Sequence, residues 1–217
     1  MTSERPSADT VWRCVAEERT TLVELLAGLD ESEWDTASLC AGWRIRDVVA
    51  HLVLATRFTL ATIVVELVRA RGNIDRLIHD SAVRYADRTT TAGLLAQLRE
   101  TIVSRATPIG TTPLDRLMDL LVHGQDIAVP LGIERVAPTE PAQWSLERVW
   151  AMGAPFHAPE RLAGYQLCAT DTGWTAGSGT VVTGTAVELL MLVTGRAECP
   201  ATGGQVLLPT PGVGQGD

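Results

Sequence analysis

The stretch Asp119-Leu120-Leu121-Val122-His123-Gly124-Gln125-Asp126, continued by Ile127-Ala128-Val129-Pro130, decides how this chain is read. Upstream of it, Thr111-Thr112-Pro113-Leu114-Asp115 opens a helix: threonine at the N-cap, proline at the first helical position and an acid in the first turn. The helix closes near Pro130-Leu131-Gly132. One turn therefore separates Asp119 from His123 and sets both on one face, which Asp126, three residues further, can share. Asp119 is bracketed by Leu117, Met118, Leu120 and Leu121. An ionised carboxylate turned into such surroundings is costly unless it is paired or bound to a cation. Asp119 thus either turns outward, pairs with Arg116, or faces inward beside His123.

Working back towards the N-terminus, the apolar periodicity predicts three more main helices. The first spans Ala8 to Leu29, with Val11, Val15, Leu22, Leu25, Leu26 and Leu29 as its stripe. The second begins in Ser38–Asp47, buries Ile45, Val48, Val49, Leu52 and Val53, and continues as a helical pattern from Ala55 to Arg71, stopping at Gly72-Asn73. Asn73 to Arg88 is helical in part. The third runs from an N-cap at Thr89–Thr91 to about Arg105. Four helices with one apolar stripe each bury those stripes on one another, so residues 1–135 are expected to form a helical bundle.

Beyond Gly132 the pattern changes. Val136–Pro141 is a linker, and Ala142 to Ala154 a short helix closed by Pro155. Leu162–Thr170 and Thr180–Thr183 read as strands about a turn at Gly173–Gly179, Thr185–Leu192 as a helix, and Gln205–Leu208 as a last strand before a mobile Pro/Gly-rich tail. Residues 136–217 are therefore expected to form a small α+β domain. The glycines of 173–179 lie between two strands, which excludes a phosphate loop.

With 217 residues, 46% hydrophobic and 20% charged, the chain has ample material for a core. Its formal net charge of −8 argues against a nucleic-acid partner and against a polybasic membrane anchor. Met1–Pro6 carries no apolar signal region, and no apolar run is long enough to span a bilayer. Four scattered cysteines without a CxxC pair argue for reduced thiols rather than a disulfide framework. A cytoplasmic protein is the expectation.

The second helix holds another acid–imidazole pair, Asp47 and His51, again four residues apart. Asp47 can satisfy the ring N–H of a core histidine, or orient His51 as a ligand. Two imidazoles and a carboxylate, His51, His123 and Asp119, form a ligand set for Zn²⁺, and also for Ni²⁺, Fe²⁺ or Co²⁺. Three protein ligands leave a position open for water or substrate. His79 reads as solvent-facing or part of a lid, and His157 as a loop residue.

The spacing Gly42-Trp43-(x)3-Asp47-(x)3-His51, followed by Leu121-Val122-His123-Gly124-Gln125-Asp126-Ile127, resembles the mycothiol-dependent maleylpyruvate isomerase family. The likeness extends to Ala169–Trp174, Gly177–Gly179 and Leu189–Arg196. It implies a mainly α protein: a DinB-like, metal-binding four-helix bundle followed by a small α+β, sterol-carrier-like domain. It implies metal ligands at His51, Asp119 and His123, with Asp119 standing where the family carries glutamate. It implies a catalytic arginine from the C-terminal part, for which Arg196 is the match. The implied cofactors are a divalent metal, Zn²⁺ above all, and mycothiol; the partners are a small electrophilic substrate and the thiol cosubstrate. The expected activity is thiol-dependent isomerisation or S-transfer. A non-catalytic protein binding an apolar ligand and a metal-dependent hydrolase are the alternatives.

Overall fold

Threonine side chains cap several helix starts: Thr59, Thr90 and Thr185 each accept a backbone N–H from the first turn that follows. The computed structural model describes residues 6–108, 110–206 and 208–209. Among them the helices are α1 (Ala8–Ala27), α2 (Ile45–Leu54), α3 (Leu60–Arg69), α4 (Ile74–Ala86), α5 (Thr91–Glu100), α6 (Pro113–Ala128), α7 (Thr139–Trp150), α8 (Ala158–Arg161) and α9 (Ala186–Val193). The strands are β1 (Tyr165–Ala169), β2 (Thr175–Gly177), β3 (Thr180–Gly184) and β4 (Gly204–Gln205). Helices dominate and a small sheet follows in the C-terminal region, the expected class. None of these helices is long and apolar enough to cross a membrane. The proposed tail beyond residue 209, Leu207 of the expected last strand, and residues 1–5 lie outside the described residues.

Residues 8–116 form one unit. Helix α2 packs on α4 and α5, and α1 on α5. Val15, Leu22 and Leu26 of α1, Ile45, Val48, Val49 and Val53 of α2, and Leu94 and Leu98 of α5 are almost wholly buried. Arg19 lies among them and is 1% exposed. Its Nη1 donates to the carbonyls of Thr101 (2.6 Å) and Ser104 (2.7 Å), so the cation closes the carbonyl-rich end of α5.

One expectation for this unit is corrected. The helical pattern read from Ala55 to Arg71 is broken: α2 ends at Leu54 and α3 begins at Leu60. Thr59 takes an extended backbone and its hydroxyl accepts from Thr62 N–H, so a local cap overrides the periodicity. Asn73–Arg88, expected to be helical in part, carries α4 (Ile74–Ala86), capped by the Asn73 side chain on Arg76 N–H. The start of α6 is as expected. Thr112 N–H and Oγ1 both donate to the Asp115 carboxylate at 2.8 Å, and Asp115 N–H returns to Thr112 Oγ1 at 3.3 Å.

Residues 117–217 belong to the second unit, which begins within α6. Its sheet runs β2-β1-β3-β4, with β2 antiparallel to β1 while β3 and β4 are parallel to their neighbours. Helix α9 packs on β1 and β3, and α7 covers α9. This explains why α9 is apolar nearly all round, with Leu189 to Val193 buried. The segment Gly173–Gly179, expected as a plain turn, contains β2. The chain turns back into β3 at Gly179 (φ +122°), where a Cβ would stand 2.1 Å from the Gly164 carbonyl oxygen.

Candidate metal centre

In the second unit, the face of α6 carries an ordered polar chain. Asp119 Oδ1 lies 3.4 Å from His123 Nε2, across one helical turn. The other ring nitrogen, Nδ1, lies 2.8 Å from Asp126 Oδ2. Asp126 is fully buried, and Arg196 reaches it with two donors, Nε to Oδ1 and Nη2 to Oδ2, each at 3.3 Å. Arg196 Nη1 also donates to the Thr194 carbonyl at 2.9 Å.

Arg196 owes its place to the end of α9. Gly195 (φ +82°) lets the helix close with Arg196 N–H on Met191 O (2.8 Å) and Gly195 N–H on Leu192 O (3.0 Å). The guanidinium therefore leaves a fixed helix terminus, seventy residues along the chain from the carboxylate it meets.

This network fixes the imidazole's chemistry. The tautomer that suits this arrangement has the proton on Nδ1 of His123, donating to the Asp126 carboxylate that the guanidinium also meets. In the neutral ring the Nε2 lone pair then points at Asp119 Oδ1. Their 3.4 Å separation is longer than a good hydrogen bond. A lone pair and a carboxylate oxygen facing each other at that distance, backed by a hydrogen-bonded carboxylate on the far nitrogen, fit a divalent cation. Asp119 and His123 are thus brought together. The Asp126 carboxylate at Nδ1 orients the ring from behind.

Next to His123, Gly124 serves a packing purpose that sequence reading missed. A Cβ there would lie 2.7 Å from both Cζ and Nη1 of Arg135. The guanidinium lies directly on the α6 backbone, and Gln125 Nε2 donates to the Arg135 carbonyl at 2.9 Å.

His51 belongs to the first unit, in the last turn of α2, and is half-buried. Its ring meets Trp43 at a centroid distance of 5.4 Å, and Trp43 in turn stacks on His79 at 6.1 Å. His79, expected to face solvent, is half-exposed but has this aromatic neighbour, and its Nδ1 lies 3.2 Å from Asp80 Oδ1. That bond to His79 is the main reason the Asp80 carboxyl is held below its usual range.

Asp47 does not serve His51 as considered. Its carboxylate takes the Arg44 backbone N–H at 2.8 Å and the Arg44 Nε and Nη2 at 2.9 Å each. It is the buried end of the α2 N-terminal cap, and these bonds, with one to Asp87, raise the Arg44 pKa further. His157 is exposed, with φ +45°, at the start of α8. None of the four cysteines is joined in a disulfide.

Comparison with known proteins agrees with the likeness read from the sequence. Residues 15–115 match the model of the mycothiol maleylpyruvate isomerase N-terminal domain. A crystal structure of the mycothiol-dependent maleylpyruvate isomerase superposes with a TM-score of 0.59 at 16% identity, covering 95% of this chain and 96% of that one. A histidine-to-alanine mutant of that isomerase gives 0.60 with the same identity and coverage. No curated protein sequence matches. Residues 15–115 are thus similar to the N-terminal domain of the mycothiol maleylpyruvate isomerase family, and the chain shares the fold of that solved isomerase along nearly its whole length.

Proposed function

We propose that this protein is a metal- and mycothiol-dependent isomerase or S-transferase acting on a small electrophile, with a maleylpyruvate-like cis double bond as the model substrate. The observation that carries the reading is the His123 ring, bonded through Nδ1 to the buried Asp126 and facing Asp119 through Nε2. Asp119 and His123 would hold the metal, and His51 is the third ligand we assign.

A divalent cation of the Zn²⁺ type held by these residues would supply Lewis acidity that lowers a thiol's pKa towards neutrality. The residues of this chain do the rest. Asp126 keeps the proton on Nδ1 and so keeps Nε2 available as a ligand atom. Arg196 balances the charge of Asp126 and brings a cation from the end of α9 to the site, where it is suited to steady a substrate carboxylate. For an isomerase, the thiolate adds to one alkene carbon and the electron pair moves onto the conjugated carbonyl. Rotation about the resulting single bond and expulsion of the thiolate then give the trans product with no net change in atoms or electrons. The thiol comes from the cosubstrate, so the chain's own cysteines are not required. The expected setting is the cytoplasm, with small-molecule partners.

Metal analysis of the purified full chain tests the proposal, with turnover followed in the presence and absence of mycothiol. About one divalent metal per chain is expected, lost in His123→Ala, with thiol-dependent turnover. A chain that binds no stoichiometric metal would overturn it. The shorter carboxylate at Asp119 supports a second reading, a protein that keeps the fold and binds a ligand without catalysis. Metal binding without thiol-dependent turnover, with activity restored by Asp119→Glu, would favour that reading.

A further inference from the structure

Helix α3 buries none of its ten residues. Leu60 is 65% exposed, Val64 53%, Val65 50% and Val68 74%, and Ile74 at the start of α4 is 65% exposed. Leu60, Val64 and Val68 recur every four residues and form one ridge. Behind this ridge, Glu66 is drawn against α4: its carboxylate meets Arg84, and Arg69 donates to it at 2.8 Å. A surface helix ordinarily turns its apolar stripe inward. Here the charged residue is the sheltered one and the aliphatic ridge faces out. Ten residues, half of them β-branched, do not hold a helix in water by propensity alone.

We infer that this face is an interface between two copies of the chain, with α3 packed antiparallel against the partner's α3 about a two-fold axis near Val64. Area supports it. A standard interface takes about 800 Å² from each partner, a little over half of it apolar. Five aliphatic side chains at this exposure supply roughly 400–500 Å², which meets that apolar share. A two-fold interface uses the same patch twice, so a single apolar ridge is self-complementary. Ridges spaced by four residues pack readily on one another.

Charge selects the orientation. Leu60 to Val65 carries no ionisable group, whereas the other end of the ridge is followed by exposed Arg69, Arg71 and Arg76, which outnumber Asp75 and Asp80 beside them and leave that end net positive. Antiparallel packing sets the two basic ends apart, while parallel packing would bring them together. The same basic end could face an anionic lipid surface. A chain of net charge −8 is repelled from such a surface, so the second copy is favoured.

Sedimentation velocity on the full chain across the micromolar range tests this. The wild-type mass should double with concentration. Val64→Glu should weaken association by about 30-fold or more, as for a side chain at an interface centre. Val64 is exposed, so the variant's far-UV spectrum and melting temperature at low concentration should match wild type. Under mild oxidation Val64→Cys should give a covalent dimer, while Val103→Cys, 85% exposed outside the patch, should not. A wild type that stays monomeric throughout, or a Val64→Glu variant that associates as wild type does, overturns the inference. So does a monomer that sediments with phosphatidylserine vesicles through Val64. None of these readouts depends on the metal or on turnover.

Discussion

Replacing Gly124 by alanine tests how the helix beside the metal centre is built. In a helix interior glycine costs about 1 kcal/mol relative to alanine, so propensity alone favours the change. The new Cβ would stand 2.7 Å from Arg135 Cζ and Nη1 and 3.0 Å from Nε. Optimal carbon contacts lie at about 3.5–4.0 Å, so the guanidinium has to move by roughly an ångström. Arg135 Nε and Nη1 are buried, and the backbone of Arg135 is tied to Gln125. Overpacking of this kind costs about 1–3 kcal/mol, which outweighs the propensity gain. Gly124→Ala should therefore destabilise by about 1 kcal/mol, a fall in melting temperature of about 2–4 °C for a chain of this size. In an Arg135→Ala background the obstacle is gone, and the same substitution should stabilise by up to about 1 kcal/mol. Urea denaturation of the four proteins of this cycle should give a coupling energy of about 1–3 kcal/mol. Independent sites couple by less than about 0.5 kcal/mol. Stabilisation by Gly124→Ala in both backgrounds, with coupling below that figure, would refute the packing argument.

Asp126→Asn should weaken Co²⁺ or Zn²⁺ binding by about 10- to 100-fold, the usual cost of losing a carboxylate behind a histidine ligand. Competition with a chromophoric chelator measures it, and unchanged affinity would count against the Asp126–His123 arrangement. Asp47→Ala removes three bonds from Arg44 at the start of α2. A loss of about 2 kcal/mol is expected in thermal unfolding, moderated because the Arg44 side chain is 34% exposed. Burial pushes the Cys14 and Cys199 thiols up, the latter against the opposing pull of a Tyr165 hydrogen bond. A raised pKa means less thiolate near neutral pH, so both should alkylate more slowly than a free peptide cysteine, and faster as pH rises. Mass spectrometry after iodoacetamide pulses reads this, and Cys14 labelling at the peptide rate would contradict it.

What the sequence determined by itself is local. The start of α6 at Thr112-Pro113-Leu114-Asp115 and the Asp119–His123 pair depend on partners within four residues, so helical spacing is enough to read them. The Thr185–Glu188 reciprocal cap of α9 lies at the same short range, with the Glu188 carboxylate 2.6 Å from Thr185 N. The resemblance carried by the tryptophan, aspartate and histidine motifs was legible for the same reason. The break at Thr59 was local too, but a threonine hydroxyl competing for a backbone N–H leaves no mark on apolar periodicity. Tertiary structure alone decided the rest. It laid Arg135 on Gly124, stacked His79 on Trp43, and brought Arg196 from the end of α9 to Asp126. The last two pairs lie 36 and 70 residues apart along the chain. Spacing cannot announce such contacts, because they exist only once packed helices have set the directions of their side chains.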